Sequence, residues 1–296
     1  MKRLFMIALA PAAFLAAGCA ELQKMDMNKL SGGRISNNVD LTKVAKGVKA
    51  LRKGVEEISE SEEYYIGRAV SAQILGRYKP LNDAKINLYV QTVAQVVART
   101  SDRPEIFKGY HVQVLDSEEV NAFAAPGGFI FVTKGLLKRL KSEDELACVL
   151  AHEVAHIAQK HGLKTIQTSR LTSAFAILGS EVAKNYTPSQ LTQLTTAFEG
   201  AVDDVVNKLV VNGYSRDKEY EADHSGALYA KNASYDPGAM RSFLERVAQV
   251  ESSGMSLFKT HPPAGKRMAE LRAVDPSASY RRSTERERRF SAAVAL

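Results

Sequence analysis

His152, Glu153 and His156 form an H-E-x-x-H pattern inside residues 146–161, LACVLAHEVAHIAQKH. On a helix, positions i and i+4 lie about 40° apart around the axis and about 6 Å along it. The two imidazoles therefore face one way and can grip one metal ion, with Glu153 close enough to act as general base on a water bound there. Hydrolytic zinc chemistry needs three protein ligands and one open position. Glu219, in residues 214–223, YSRDKEYEAD, supplies the third ligand. Asp223 lies four residues further on the same helical face, where it can accept the ring N–H of His152 and fix its tautomer. Arg216 is placed to brace these carboxylates, whereas Glu221 points another way on the helix. Alone, the first motif also fits a buried helix with hydrogen-bonded histidines, and the second fits a solvated helix face. Together they point to a centre holding one zinc ion per chain.

These residues need elements to carry them. Ser142 and Glu145 read as a capping box that opens the motif helix. Leu146, Val149, Leu150 and Ile157 bury that helix, and Gly162 can end it. Upstream, residues 59–100 read as two helices. Ser61 caps the first, with Ile66, Val70, Ile74 and Leu75 on its apolar face; Leu88, Tyr89, Val93, Val96 and Val97 mark the second. Residues 110–115 alternate around Val112 and Val114, as a strand does. Residues 121–132 read as a hairpin turned at Pro126-Gly127-Gly128. Its Asn121, Gly128, Phe129, Ile130 and Phe131 are candidate substrate-binding residues, because an open strand edge can pair with an extended peptide and hold its carbonyl over a metal. A purely structural hairpin fits them equally. Residues 135–140 form a short helix. Residues 163–213 are a long insertion, apolar at 174–178 and again at Val205, Val206 and Leu209. It is either a lid over the site or a helical hairpin that completes the core. The helix after Pro237, with Met240, Phe243, Leu244 and Val247, reads as packing.

From about residue 59 to residue 271 the chain resembles the gluzincin zinc metallopeptidases related to the CAAX prenyl protease, among them the bacterial HtpX-like and BepA-like periplasmic metalloproteases. The resemblance rests on Asn121-Ala122-Phe123, Pro126-Gly127-Gly128, His152-Glu153-x-x-His156, Ser215-Arg216-x-x-Glu219-x-x-Ala222-Asp223 and Thr260-His261-Pro262. It implies an α+β architecture, a predominantly helical zincin fold with a small β-sheet beside the H-E-x-x-H helix. It also implies degradation of misfolded or misassembled envelope proteins. Prenyl protease activity belongs to relatives with several membrane spans and is not carried over. In similar periplasmic members the histidine of the last motif occupies the open metal position and keeps the enzyme latent, so His261 is a candidate for that role. Two other readings stay open: His261 or Arg267 donates to the developing oxyanion, or His261 caps the helix that begins near Pro263.

Lys2 and Arg3 precede an apolar stretch, residues 4–17, too short for a confident membrane span and right for a signal peptide. Leu15-Ala16-Ala17-Gly18-Cys19 resembles the bacterial lipobox, with alanine at 16 where leucine is commoner. Cys19 is thus the candidate lipidation site, and an ordinary secretory cleavage is the alternative. Ala20 follows rather than aspartate, which implies a periplasmic protein held at the inner leaflet of the outer membrane. Cys148 then stands alone on the motif helix as a small buried hydrophobe. No later run approaches the roughly 20 apolar residues of a span. The expected organisation is a leader at 1–18, then a lipidated N-terminus, tether and amphipathic helix at 19–58. The metallopeptidase domain follows at 59–275 and a basic tail at 276–296. Val44, Val48, Leu51, Val55 and Ile58 form the seam of the amphipathic helix, which packs on the domain or binds a partner.

The 296 residues are 45% hydrophobic and 25% charged, enough for one substantial core, and carry a net charge of +7. Arg281, Arg282, Arg286, Arg288 and Arg289 concentrate the excess, as a solvated tail or as a contact for anionic polymers. Nothing matches a nucleic-acid-binding motif, so nucleic acid is not an expected partner. The sequence thus predicts a zinc metalloendopeptidase acting on unfolded or misassembled envelope proteins and anchored to the membrane by its N-terminal lipid. The alternative is a chaperone for outer-membrane proteins, associated with their assembly machinery, whose zinc is regulatory. Glu153 separates the two, since a closed structural site has no use for it.

Overall fold

The computed structural model describes residues 58–166, 170, 188–249, 260–261, 264–271 and 283–295. These all fall in one unit, Ala50–Leu296. The leader, Cys19, the tether, the seam from Val44 to Val55, the apolar run at 174–178, Pro262, Pro263, Arg281 and Arg282 lie outside the described residues.

Helix α1 (Glu60–Arg77) opens on Ser59 rather than Ser61. Only Ser59 has a glutamate three residues on, and the reciprocal box is complete: Glu62 N donates to Ser59 Oγ at 3.3 Å and Ser59 N to Glu62 Oε2 at 2.8 Å. Helix α2 (Ala84–Ala98) is capped by Asp83. Its buried face is Ile86, Val90, Val93, Ala94 and Val97, while Leu88 and Val96 face outward, as does Leu75 on α1.

Strands β1 (His111–Leu115), β2 (Ala122–Ala125) and β3 (Phe129–Thr133) make a mixed sheet in the order β1-β3-β2. Strand β1 runs parallel to β3 with His111 opposite Phe129, and β2 runs antiparallel with Phe123 opposite Phe131. Side chains alternate across the sheet. Val114, Ala122, Ala124, Ile130 and Val132 join a core with α2 and the motif helix, while Leu115, Phe123, Ala125 and Phe131 join a second core with α1. The turn between β2 and β3 presses into α1 so closely that a Cβ on Gly67 would meet Pro126 O at 1.9 Å. Gly127, at φ 70°, takes the left-handed conformation this turn requires, and its N–H donates to buried Glu63.

Helix α3 (Lys134–Arg139) is capped by Thr133, and α4 (Glu143–Ala158) by Ser142. In the last described part of the insertion, α5 (Pro188–Asn207) runs into a π-turn at Lys208–Asn212. Ala201, Val202, Val205, Val206 and Leu209 pack there against Ile66, Val70 and Ile74 of α1. This part completes the second core rather than covering the site. Helices α6 (Arg216–Asn232), α7 (Ala239–Ala248) and α8 (Ala264–Leu271) follow. The Arg-rich end is not simply a solvated tail, because residues 284–293 form helix α9 (Thr284–Ala293). Buried Glu143 at the start of α4 demands a counter-charge, and Arg289 donates to it through Nε at 3.1 Å and Nη2 at 2.6 Å. Arg286 likewise pairs with Asp144 at 2.9 Å, and Phe290 is buried. No described helix is long and apolar enough to cross a membrane.

Candidate metal centre

Helices α4 and α6 carry the centre, and a glycine sets their spacing. A Cβ at Gly226 would lie 2.9 Å from His152 N and 3.0 Å from its Cα. Its absence lets the two backbones touch. Seven residues earlier, two turns along the same face, the Glu219 carboxylate is thereby brought over both motif histidines.

His152, His156, Glu219 and His261 each offer one ligand atom, all within 4.8 Å of one another, and all four side chains are buried. His152 Nε2 and His156 Nε2 are 3.1 Å apart. Glu219 lies 3.6 Å from the first and 3.5 Å from the second. Donors held about 2.0–2.1 Å from a common tetrahedral ion stand about 3.3 Å apart, so these spacings fit a bound cation. The chemistry of the donors points the same way. Two imidazole nitrogens this close require a proton or a metal ion between them. A proton satisfies the nitrogens but leaves Glu219 Oε1 buried without a hydrogen-bond partner; a metal ion accepts all three.

The charges around the site are ordered. Asp223 Oδ1 lies 2.9 Å from His152 Nδ1, which leaves Nε2 of that ring turned toward Glu219 and His156. Asp223 also accepts two bonds from Arg267, from Nε at 2.8 Å and Nη2 at 2.5 Å. Burial pushes the Asp223 carboxyl up, but Arg267 and His152 outweigh it and hold it below the usual range. Burial and the Arg267 charge push His152 down, yet Asp223 and Glu219 lift it to about 9. A proton and a metal ion thus compete for the same lone pair. His156 lies well below the ordinary imidazole range, through burial and then the His152 charge. Glu219 also lies well below its range: burial opposes ionisation, but the His261 charge and the His152 hydrogen bond prevail. Glu153 is raised by burial, with His152 and His261 pulling against it.

The sequence candidates are placed unevenly. His152, Glu153, His156, Glu219, Asp223, His261 and Arg267 gather at one buried locus. Arg216 does not join them: it sits exposed on the first turn of α6, and the guanidinium bracing Asp223 is that of Arg267. Arg267 spends Nε and Nη2 on Asp223 and also lines the cavity beside Glu153. His261 Nδ1 is 2.7 Å from Glu219 Oε2, in a ligand position. Its segment is wedged in place. Thr260 Oγ1 donates to Asn121 Oδ1 at 3.3 Å, and the Thr260 carbonyl lies where a Cβ on Gly213 would be 2.0 Å away.

Phe129, Ile130 and Phe131 cannot pair with a substrate strand. Their strand, β3, is the central one and is already bonded on both edges. Ile130 and Phe131 are buried in the two cores, Phe129 stacks on His111, and Gly128 lies against the Gly109 carbonyl. Asn121 is buried and occupied by Ala122 N and Thr260. Beside Glu153 lies a cavity of about 20 Å³ lined by Ala122, Val149, Met240, Phe243, His261 and Arg267 among others. That volume admits one water and no peptide.

Sequence reasoning passed over several residues that shape the centre. Tyr214 stacks on the His156 ring, centroids 4.5 Å apart at 21°. Lys160, at φ 55°, rather than Gly162, makes the left-handed turn after α4, so that His161 N donates back to His156 O at 2.9 Å. Gly213 and Gly226 carry a signal only as glycines beside or within a helix, with no indication of what they approach.

Comparison with known proteins places the match across the same elements. Residues 84–275 match the model of peptidase family M48. The mitochondrial metalloendopeptidase OMA1 of Schizosaccharomyces pombe is 30% identical over 200 residues, 67% of this chain and 55% of the relative. The beta-barrel assembly-enhancing protease of Escherichia coli K12 is 25% identical over 222 residues, 73% of this chain and 44% of the relative. Against these two, the chain spans about half the relative's length. Metalloprotease YcaL of the same bacterium is 27% identical over 277 residues, 90% of this chain and 95% of the relative.

Proposed function

The chain belongs to peptidase family M48, and from that premise we propose that it is a zinc metalloendopeptidase that cuts misfolded or misassembled cell-envelope proteins. The observation that carries the reading is the convergence of His152, His156 and Glu219 beside the buried carboxylate of Glu153. Two imidazoles and a carboxylate are the ligand set of hydrolytic zinc sites. One zinc ion held by these three residues would supply a water of pKa lowered to about 7 and would polarise the scissile carbonyl. Glu153 takes the water's proton on a carboxylate oxygen and delivers it to the leaving amine nitrogen. Its burial serves this exchange, because a raised pKa suits a carboxylate that must both accept and return a proton near neutral pH. Asp223, fixed by Arg267, holds the His152 ring in the ligating tautomer.

The centre is closed around this machinery. His261 occupies the fourth donor position, and the cavity beside Glu153 admits one water. Both features support a latent enzyme in which the 260–261 segment leaves before a peptide enters. Envelope clients are supported by the relatives named as beta-barrel assembly-enhancing proteases. That name also motivates a proposed contact with outer-membrane assembly machinery. A lipid on Cys19, holding the chain at the inner leaflet of the outer membrane, is supported by the LAAGC sequence at 15–19.

The deciding experiment is degradation of an unfolded protein by the zinc-loaded chain from residue 20 onward. Wild type should cleave, and Glu153→Gln should bind zinc while losing at least about 100-fold in turnover. Turnover retained in Glu153→Gln would remove Glu153 from its role. His261→Ala should cleave faster than wild type; equal rates would end the latency reading.

A further inference from the structure

The ligand His152 is backed directly by a carboxylate, and His156 is backed by something longer. The turn at Lys160 swings His161 under the end of α4, where its Nδ1 lies 2.8 Å from His156 Nδ1. On its far side His161 Nε2 is 3.2 Å from Glu221 Oε2. We propose that Glu221 and His161 form a relay behind His156 that fixes the tautomer and aim of this ligand, with His161 as the positioning residue and Glu221 as its anchor. The proposal rests on the metal-centre reading above.

The assignment follows from donors and acceptors. A carboxylate only accepts, so His161 carries its proton on Nε2 and donates it to Glu221. Neutral His161 then presents a lone pair at Nδ1, which accepts from His156 Nδ1–H. His156 is left with a bare Nε2, and that atom faces Glu219 and His152. The opposite tautomer of His156 would aim an N–H at the metal position and strand two Nδ1 lone pairs against each other. The relay is built rather than incidental. His161 is fully buried, its ring meets that of His156 edge-on at 5.0 Å, and Tyr214 stacks against His156. Gln159 Nε2 donates to Ser225 Oγ on α6 at 2.7 Å, pinning the same turn. Glu221 lies off the Glu219–Asp223 face of α6, and the turn is what brings His161 round to meet it. Metal-ligating histidines generally donate their second N–H to a carboxylate, carbonyl or water, and losing that partner typically costs about 10- to 100-fold in metal affinity. Here an imidazole fills that place and passes the demand to a carboxylate that is half-exposed.

The test is zinc affinity of the full chain in detergent, by competition with a chelating indicator, together with histidine ¹⁵N spectra of the metal-free protein. His161→Phe keeps a ring but offers no acceptor, and should raise the zinc dissociation constant about 10- to 100-fold. His161→Asn places an amide oxygen near Nδ1 and should recover most of that loss, a rescue that a merely space-filling residue would not require. Glu221→Ala should weaken binding by a smaller factor, about 3- to 10-fold, because its bond reaches solvent. The spectra should place the His156 proton on Nδ1 in wild type and mix the tautomers in His161→Phe. Binding by His161→Phe within twofold of wild type, with the tautomer unchanged, would overturn the relay. If that variant does not fold, an unchanged affinity in Glu221→Ala overturns it instead. Zinc binding that survives His152→Ala would show that the metal sits elsewhere, and would overturn the metal-centre reading and the relay with it.

Discussion

Arg267→Met tests whether the buried pair with Asp223 holds the site together. Both side chains are almost completely buried, and two guanidinium nitrogens donate to the carboxylate at 2.8 and 2.5 Å. Methionine replaces much of the alkyl stem and none of the donors. Each charge-assisted bond contributes about 1.5–3 kcal/mol, and removing one partner of a buried pair costs about 3–5 kcal/mol because the other charge is stranded. The expected loss is therefore about 3–5 kcal/mol, or roughly 10 °C in midpoint for a domain of this size. Urea unfolding of the metal-free protein reads it directly. The pH dependence gives a second check with a fixed sign. In wild type the Asp223 carboxyl is depressed, so its contribution is complete above its unfolded value near 3.9 and fades as pH falls through the folded one. In the variant, burial is opposed by His152 alone, so the carboxyl titrates above its wild-type position and is relieved earlier on acidification. The gap between the two proteins should narrow as pH falls through the variant's carboxyl pKa toward that of wild type. A loss under about 1 kcal/mol, or a gap of several kcal/mol that ignores pH, would refute the assignment of the stabilisation to this ion pair.

Three further substitutions probe how the centre is positioned. Gly226→Ala drives a methyl into the His152 backbone at 2.9 Å and should part α4 from α6, costing about 1–3 kcal/mol of stability and at least about tenfold in zinc affinity by titration. Gly213→Ala collides with the Thr260 carbonyl at 2.0 Å and places alanine at φ 66°, so it should loosen the His261 segment and speed cleavage of an unfolded substrate with zinc retained. Arg289→Ala should lower stability by about 1 kcal/mol and hasten proteolytic trimming of α9; the guanidinium is half-exposed, and Tyr89 and Tyr235 still donate to Glu143.

Much of the site was legible because its chemistry is local in sequence. His152 and His156 share a helical face by spacing alone, as do Glu219 and Asp223. The mostly helical α+β architecture followed from the resemblance, and hydrophobic periodicity located β1 and the helices before it. What periodicity could not carry was partnership. Arg216 and Arg267 are equally good cations in the sequence, and only the path of α8 decides that Arg267 reaches Asp223 while Arg216 faces solvent. Strand order decides the fate of Phe129, Ile130 and Phe131: a hairpin read alone has two open edges, and the parallel pairing with β1 removes one of them. The Arg-rich end read as solvated because its alternating charges give a weak apolar stripe. Its anchor is Glu143, 146 residues before Arg289, whose burial is invisible from spacing. In the sequence His161 is simply the end of a motif helix, since a left-handed Lys160 has no sequence signature of the kind glycine provides.

Glu153, Glu219 and Asp223 are all buried around one guanidinium, that of Arg267, the only buried one among the described residues. Three carboxylates against one cation leave a deficit of about two positive charges, which a divalent ion neutralises. Without such an ion, protons must take its place, and His152 is where the structure puts one, its pKa lifted to about 9. Zinc uptake at pH 7 should therefore displace that proton, and the release should fall away as pH rises through about 9. Calorimetry in buffers of different ionisation enthalpy counts the protons. A release of about one per zinc at pH 7, fading toward pH 10, is the expected result. Uptake with no proton released at pH 7 would mean that His152 is already neutral there, and that Asp223 and Glu219 do not hold the charge assigned to them.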